Sequence, residues 1–374
     1  MQTYPYRNPR HLVALLFVGL VMGVAGRAAP VHAQSNAAAG PSAEHHLHLQ
    51  SAELTRIVDA AQRAGGGSPK DAPPLSAPSA ADAIEALDSA GVRYGLALSG
   101  GYFWGSPFLR SPMLSAILDS LGVQLVDERA KVRAENARLA EQVALYPDRL
   151  IGACSVNPLK DYAVEEVEIC GADTRIGAMK LHLANSMMDF SDTTHVARLR
   201  TFFQALGKTD LVAVVHVRNR GPGYGAEDTR VFIREVLTAA PNVPVQISHM
   251  AGWGFYDDAT HSAMQPFVDA FRDGTLNAER ITFGVGVLVS DPADAGADTM
   301  KARQMREQNA RLAERMREVG IDRVVVETDW PFFPPVGEPR TRIARYREQL
   351  RSTLPLEPAE LDRFFSNVGP MFRK

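Results

Sequence analysis

Side chains that can bind a metal ion or transfer a proton stand at the ends of five short apolar segments. In chain order they are His46 and His48, Lys180 and His182, His216, His249, and Asp329. One such group at the end of each of several buried parallel strands is how a barrel of alternating strands and helices builds its active site. The series as a whole therefore indicates an active site more strongly than any of its members does.

The first segment carries a His-x-His pair. Residues two apart on a strand share a face, so His46 and His48 can reach one metal ion, whereas His45 points to the opposite face. A lone His-x-His pair is weak support for a metal site, because any strand can carry two histidines by chance.

Later segments each place one polar group after an apolar run. His216 and His249 close such runs, where an imidazole costs free energy unless it is hydrogen-bonded or ligated, and either alone is more often a hydrogen-bonded core histidine. Asp329 is more informative. A carboxylate that follows Val324–Val326 is costly to bury unless a cation pairs with it.

Apolar strand patterns alternate with helical patterns along most of the chain. Strands are predicted at 44–49, 94–98, 150–156, 176–183, 211–217, 243–248, 281–288 and 323–328. Helices are predicted at 52–64, 80–90, 196–206, 228–239, 264–272 and 300–319, and one helix contains 133–145. Such strands imply a parallel sheet covered by helices, and about eight units fit a single-domain α/β TIM barrel, the (β/α)8 fold. An open doubly wound sheet would normally carry a nucleotide-binding fingerprint after its first strand, and none is there.

Composition is that of an ordinary globular protein. The chain has 374 residues, 45% hydrophobic and 22% charged, with a formal net charge of -3. This charge gives no electrostatic reason to expect nucleic acid as a partner.

The N-terminus has the pattern of an export signal. Basic residues precede an apolar run from 12 to 25, and Val31 and Ala33 supply the small residues of a cleavage site before Gln34. The run is shorter than the roughly 20 apolar residues of a membrane span. The sequence therefore predicts a signal peptide over 1–33, no stable membrane anchor after cleavage, and a periplasmic or secreted protein.

The remaining chain is expected to form one domain. A flexible leader is predicted over 34–43 and the barrel over 44–374. Within the barrel, 65–78 is rich in Gly, Pro, Ser and Ala and is predicted to be a mobile loop, either a lid or an idle insertion. Cys154 and Cys170, the chain's 2 cysteines, either pair in an oxidising compartment or remain buried thiols.

The order of the polar groups is His-x-His on strand one, Lys on strand four, His on strands five and six, and Asp on strand eight. Further motifs lie at 146–158, 177–182, 249–254, 320–331 and Asn367. Together they resemble the amidohydrolase superfamily, and within it the amidohydrolase-2 (amidohydrolase-related) group of metal-dependent hydrolases, over most of the chain.

This resemblance implies a divalent ion held by His46, His48, His216 and Asp329, with one position left for water. Nitrogen-rich ligation favours Zn²⁺, with manganese or iron as alternatives, and the group favours one ion over two. Asp329 would take the proton of the water and pass it to the leaving group. His249 would hydrogen-bond the water or the developing oxyanion, or ligate a second metal.

Two further residues have open roles, and two depart from the group's pattern. Lys180 is either carbamylated between two ions or charged and bound to a carboxylate, and His182 is a ligand, a substrate contact or a structural hydrogen-bonding group. Glu44 stands where Asp is more usual, and Glu327 where a small residue is common. Glu327 shares the face of Asp329, so it either supports the ligands or crowds the pocket.

Large side chains after the strands suggest a pocket for an apolar or ring-containing substrate. Trp104, Trp253 and Trp330 either line this pocket or pack beneath the rim. Arg218 either clamps a substrate carboxylate or is solvated.

These expectations combine into an exported metal-dependent hydrolase that uses a metal-activated water on an amide, ester or lactone of a small molecule. One alternative is a metal-dependent nonoxidative decarboxylase of an aromatic acid, since the group also contains such enzymes. The other is an exported binding protein without catalysis. The sequence leaves open whether the protein forms a homo-oligomer.

Overall fold

The computed structural model describes residues 42–65, 74–332 and 338–373. The predicted signal peptide, most of the predicted leader and residues 66–73 of the predicted loop lie outside this part of the chain. Within it, the first strand begins at Ala43, the last residue of the predicted leader.

Eight parallel strands form one sheet in sequential order. They are β1 Ala43–His48, β2 Tyr94–Leu98, β3 Leu150–Ser155, β4 Ile176–His182, β5 Val212–His216, β6 Val245–Ile247, β7 Ile281–Val285 and β8 Val324–Val326. The sheet nearly closes on itself, because the His48 N–H donates to the Trp330 carbonyl at 2.7 Å, and Leu47 forms a parallel bridge to Trp330. The predicted eight-stranded parallel barrel is confirmed.

Helices connect the strands and cover the outside of the sheet. They are α1 Ala52–Ala64, α2 Ala80–Ser89, α3 Gly101–Trp104, α4 Pro112–Ser120, α5 Glu128–Val143, α6 Ala163–Gly171, α7 Thr193–Leu206, α8 Ala226–Val231, α9 Asp258–Arg272, α10 Thr299–Val319, α11 Pro339–Thr353 and α12 Pro358–Ser366. The predicted helix at 228–239 differs, since α8 continues into a π-helical turn at Phe232–Leu237. Across the described ranges, no helix is both long and apolar enough to cross a membrane.

Local capping explains where α2 begins. The Ser79 hydroxyl accepts the Asp82 N–H, and the Asp82 carboxylate accepts the Ser79 N–H at 2.8 Å, which is the capping-box arrangement. Ala83 and Leu87 then repeat at helical spacing and are fully buried.

The C-terminus closes one end of the barrel. Met371 packs inside with Leu96, Val212 and Val214. His45 also faces this end, where its Nε2 accepts the N–H of Gly369 at 2.8 Å. The barrel is therefore filled at one end, and the polar strand ends lie at the other.

Cys154 and Cys170 form a disulfide that joins β3 to α6 across 16 residues. Both residues are buried. Of the two states that the sequence left open, the structure has the paired one.

Replacing both cysteines with alanine should lower the free energy of unfolding by about 2–4 kcal/mol, because the cross-link restricts the unfolded chain. Urea unfolding of the wild type and the double variant, with and without reductant, measures the effect. The difference should disappear under reducing conditions. Equal stability of the two proteins in oxidising buffer would contradict this expectation.

Candidate active site

The polar strand ends meet at the open end of the barrel, as parallel strands require. His46 and His48 belong to β1, His216 is the last residue of β5, His249 follows β6, and Asp329 lies three residues beyond β8. Their side chains line one cavity, together with Lys180 and His182 of β4. The cavity has a volume of about 60 Å³.

Three imidazoles converge on one carboxylate oxygen. Asp329 Oδ1 lies 3.0 Å from His46 Nε2, 3.6 Å from His48 Nε2 and 3.5 Å from His249 Nε2. The ligand atoms of His46, His48 and Asp329 all lie within 4.8 Å of one another, which suits a single ion. His249 makes a second group of this kind with His46 and Glu327.

Burial sets the charge of these groups. It lowers the pKa of His48 to about 4 and that of His216 well below the usual range, so both rings are neutral and keep a lone pair for ligation. Burial alone would raise the pKa of Asp329, but positive charge on His249 and His46 outweighs it and holds the pKa well below the usual value. The site thus combines an ionised carboxylate with the neutral imidazoles of His48 and His216, which are donor types that a catalytic zinc site uses.

His216 and His182 form a stacked pair on the β4–β5 side of the cavity. Their ring centroids are 4.1 Å apart, and the Trp253 ring packs edge-on against both, at 5.1 Å from His216 and 5.7 Å from His182. His216 is outside the compact ligand group, yet its Nε2 is buried with no hydrogen-bond partner within the described residues. A buried imidazole nitrogen without a partner is costly, so this atom fits an unpaired ligand position.

Lys180 lies beside the His-x-His pair. Its Nζ is 3.3 Å from His46 Nε2 and donates to the Ser248 hydroxyl at 3.3 Å. Burial lowers the pKa of Lys180 to about 8, against the opposing effect of Glu327 and Asp329. The amine is therefore next to the predicted ligand His46.

Glu44 ties the two sides of the site together. Its Oε1 accepts the N–H of His46 at 3.2 Å and the N–H of Thr328 at 2.8 Å. Burial raises the pKa of Glu44 to about 8. The departure from the usual Asp thus places a carboxyl group between β1 and the segment that carries Asp329.

Glu327 is fully buried beneath the predicted ligands. Its Oε2 accepts the backbone N–H of His249 at 3.0 Å, and its Oε1 accepts the Gln246 side-chain amide at 2.6 Å. Burial alone would raise the pKa of Glu327. Positive charge on His46 and His249 outweighs burial and lowers this pKa to about 2. Glu327 therefore does not enter the cavity but contacts the residues that form it.

The predicted lining residues separate into two groups. Trp253 lines the cavity, whereas Trp104, Arg218 and Trp330 do not. Trp104 packs under Lys131, whose Nζ is 4.4 Å from the ring centroid. Arg218 pairs with Asp257 at 2.8 Å, and the Trp330 indole donates to the Pro339 carbonyl at 2.8 Å.

Other residues that line the cavity were not singled out from the sequence. They include Gln50, Asn185 and Phe332. Phe332 packs 5.4 Å from the His48 ring, and its position three residues after Asp329 is the one signal that would have indicated it. Nothing in the local sequence distinguishes Gln50 or Asn185 from ordinary loop residues.

Comparison with known proteins identifies the family. The family model for Amidohydrolase, of the amidohydrolase-2 type, matches residues 106–367, and the chain belongs to this family. The matched range contains Lys180, His216, His249 and Asp329 and begins after the His-x-His pair. No curated protein matches the chain significantly.

Solved structures share the fold at low sequence identity. A zinc-bound amidohydrolase from Burkholderia multivorans has 13% identity and a TM-score of 0.53, covering 87% of this chain and 96% of its own. A probable 2-pyrone-4,6-dicarboxylic acid hydrolase from Acinetobacter baumannii, solved with citric acid, has 14% identity and a TM-score of 0.50 over the same shares. The 5-carboxyvanillate decarboxylase of Sphingomonas paucimobilis gives the same values. Both hydrolases and decarboxylases thus have this fold.

The purified protein should contain about one equivalent of a divalent ion, because the ligand atoms cluster around one point. His48→Ala, His216→Ala and Asp329→Asn should each weaken metal affinity by at least about 10–100-fold, the range for losing a supporting contact. Elemental analysis and chelator competition measure both quantities. His195→Ala, which alters a histidine on α7 away from the cavity, is the matched control and should bind metal as the wild type does. Full metal content in all three site variants would contradict the ligand assignment.

Proposed function

We propose that the protein is an exported metal-dependent hydrolase that cleaves an amide, ester or lactone bond in a small molecule. The observation that carries this proposal is the convergence of His46, His48 and His249 on Asp329 Oδ1, at 3.0–3.6 Å, in a cavity at the open end of the barrel. Family membership supports it, because amidohydrolases act through such a site.

The residues present fit a bound zinc ion. His46, His48, His216 and Asp329 would hold it, and the unpartnered, buried Nε2 of His216 supports a ligand at that position. Imidazole nitrogens favour Zn²⁺ among the common divalent ions, and one ion is favoured over two. Such an ion supplies Lewis acidity, which makes water more acidic and polarises a carbonyl group.

The chain's own residues supply proton transfer and orientation. Asp329 accepts the proton of the attacking water, since its carboxylate is ionised, and returns the proton to the leaving group. His249, with Nε2 3.5 Å from Asp329 Oδ1, hydrogen-bonds the water or the oxyanion that forms on the substrate. Lys180 binds a polar group of the substrate beside these two residues.

The cavity favours a compact, partly apolar substrate. Tyr102, Phe103, Trp253 and Phe332 provide aromatic surface around the polar centre. Such walls suit a ring or another flat apolar group.

Decarboxylation of an aromatic acid is the second candidate. Lys180 favours it, because an amine 3.3 Å from His46 Nε2 can hold a carboxylate next to the ligand group. The two reactions differ in product, so a carbon dioxide assay on aromatic acids separates them from hydrolysis of esters, lactones and amides.

The zinc-loaded protein should hydrolyse members of an ester, lactone and amide panel, and Asp329→Asn should lower kcat by about 10²–10⁴-fold, the usual contribution of a positioned general base. Steady-state kinetics on the best substrate, with chelator removal and zinc restoration, tests this. Asp322→Asn, which alters an exposed aspartate before β8, should leave kcat unchanged. Carbon dioxide release without hydrolysis would favour the decarboxylase, and a metal-loaded protein inert in both assays would favour a binding protein.

Export is proposed from the N-terminal pattern and is supported by the Cys154–Cys170 disulfide, since disulfides persist in oxidising compartments. The full chain expressed in a Gram-negative bacterium should reach the periplasm and begin at Gln34. Fractionation and mass spectrometry of the intact protein measure this. Replacing Val31 and Ala33 with aspartate should block cleavage. An uncleaved wild type that stays in the cytoplasm would contradict export.

A further inference from the structure

Glu327 occupies a position that the barrel makes room for. A methyl group at Gly284 would overlap its carboxylate, and one at Gly286 would lie 2.8 Å from its Cβ and 3.0 Å from His249 Nδ1. Both glycines are on or next to β7, the strand beside β8. The space under the ligands thus depends on two glycines and is filled by one carboxylate.

The Glu327 carboxylate faces three groups that determine how the histidines lie. It accepts the His249 N–H at 3.0 Å, its Oε2 is 3.3 Å from His249 Nδ1, and its Oε1 is 3.5 Å from His46 Nδ1. The Nε2 atoms of the same two rings face Asp329. His249 Nδ1 lies within hydrogen-bond distance of the Gly286 carbonyl, at 3.2 Å, and His46 Nδ1 has no hydrogen-bond partner within the described residues. Glu327 therefore places a carboxylate close to the Nδ1 side of both rings, while their Nε2 atoms face the cavity.

The backbone at His249 has an unusual conformation that a hydrogen bond to Glu327 can hold in place. His249, Met250 and Ala251 have φ values of 55°, 48° and 60°, in the left-handed region that residues other than glycine seldom occupy. A conformation of this kind persists only where surrounding contacts hold it. The hydrogen bond from the His249 N–H to Glu327 is made at the first of these three residues.

We propose that Glu327 is a positioning residue for the metal site. It holds the backbone of His249 by a hydrogen bond, and its carboxylate, 3.3 Å from His249 Nδ1 and 3.5 Å from His46 Nδ1, favours the ring orientation in which each Nε2 atom faces the cavity. This inference rests on the proposed function. A carboxylate behind a ligand histidine orients the ring, fixes its tautomer and raises its basicity. Gln246, which donates to Glu327 Oε1 at 2.6 Å, holds the carboxylate in turn.

The test compares the wild type with Glu327→Gln, which preserves shape and removes the charge. Zn²⁺ affinity by chelator competition should fall about 10–100-fold, the range for such supporting contacts. The visible spectrum of the Co²⁺-substituted protein should change, because the ligand geometry changes. On any substrate found, kcat should fall while KM stays within about threefold, because His249 acts on the reacting groups rather than on substrate binding.

Glu166→Gln is the matched control, since Glu166 is also fully buried and pairs with Arg133 at 2.7 Å on the outside of the barrel. It should lower thermal stability without changing Zn²⁺ affinity or the Co²⁺ spectrum. If Glu327→Gln does not fold, Glu327→Asp, which keeps the charge on a shorter side chain, is measured in the same way and should shift both readouts in the same direction.

Wild-type Zn²⁺ affinity and an unchanged Co²⁺ spectrum in Glu327→Gln, or in Glu327→Asp where that variant is used, would overturn the inference while leaving the proposed function intact. Loss of one of two bound zinc equivalents would also overturn it, because Glu327 would then be a ligand, as its grouping with His46 and His249 allows. Failure of the proposed function is distinguishable, because it would appear in the wild type itself, either as absence of bound zinc or as absence of hydrolysis by the zinc-loaded protein.

Discussion

The site depends on the junction between the first and last strands of the barrel. A backbone hydrogen bond from the His48 N–H to the Trp330 carbonyl, at 2.7 Å, and a parallel bridge between Leu47 and Trp330 join the chain there. Glu44 adds a side-chain link by accepting the N–H groups of His46 and Thr328. The predicted ligands near the two ends of the chain meet across this junction. The geometry of the site therefore depends on closure of the barrel.

Closure of the barrel concentrates carboxyl groups in a dry region. Glu44, Glu327 and Asp329 all lie near the junction, and burying carboxylates is costly unless cations or hydrogen bonds compensate. The positive charge of Arg347 opposes the rise in the pKa of Glu44, and the positive charge of Lys180 helps to lower the pKa of Glu327. For Asp329 the compensation comes from the imidazoles, which is also the arrangement that a divalent ion would complete.

Sequence reasoning was most reliable where one physical signal dominates. The α1 bounds at 52–64 and the order of all eight strands follow from apolar periodicity, because these elements are buried and regular. The directions of side chains were harder to predict. Trp104 and Trp330 lie outside the cavity, because the Trp104 ring packs against the Lys131 ammonium group and the Trp330 indole donates to the Pro339 carbonyl. Partners such as these are distant in sequence or have no local pattern, so no motif specifies them.

Glu327 shows why a departure from a family pattern can carry information that the pattern lacks. Beside Asp329, a large acidic residue would be expected either to support the ligands or to crowd the pocket, and the sequence of β8 alone does not decide between them. Residues of two neighbouring strands determine that Glu327 supports the site. Gly284 of β7 and Gly286 just after it leave space for the carboxylate, and Gln246 of β6 donates a hydrogen bond to it. These strands are distant in sequence and become neighbours only in the folded barrel. Their pairing register places the two glycines and Gln246 beside Glu327, so the fit of Glu327 can be recognised only in the structure. A family member with a small residue at this position would need other groups to fill the same space, because a void there would cost packing energy beneath the ligands.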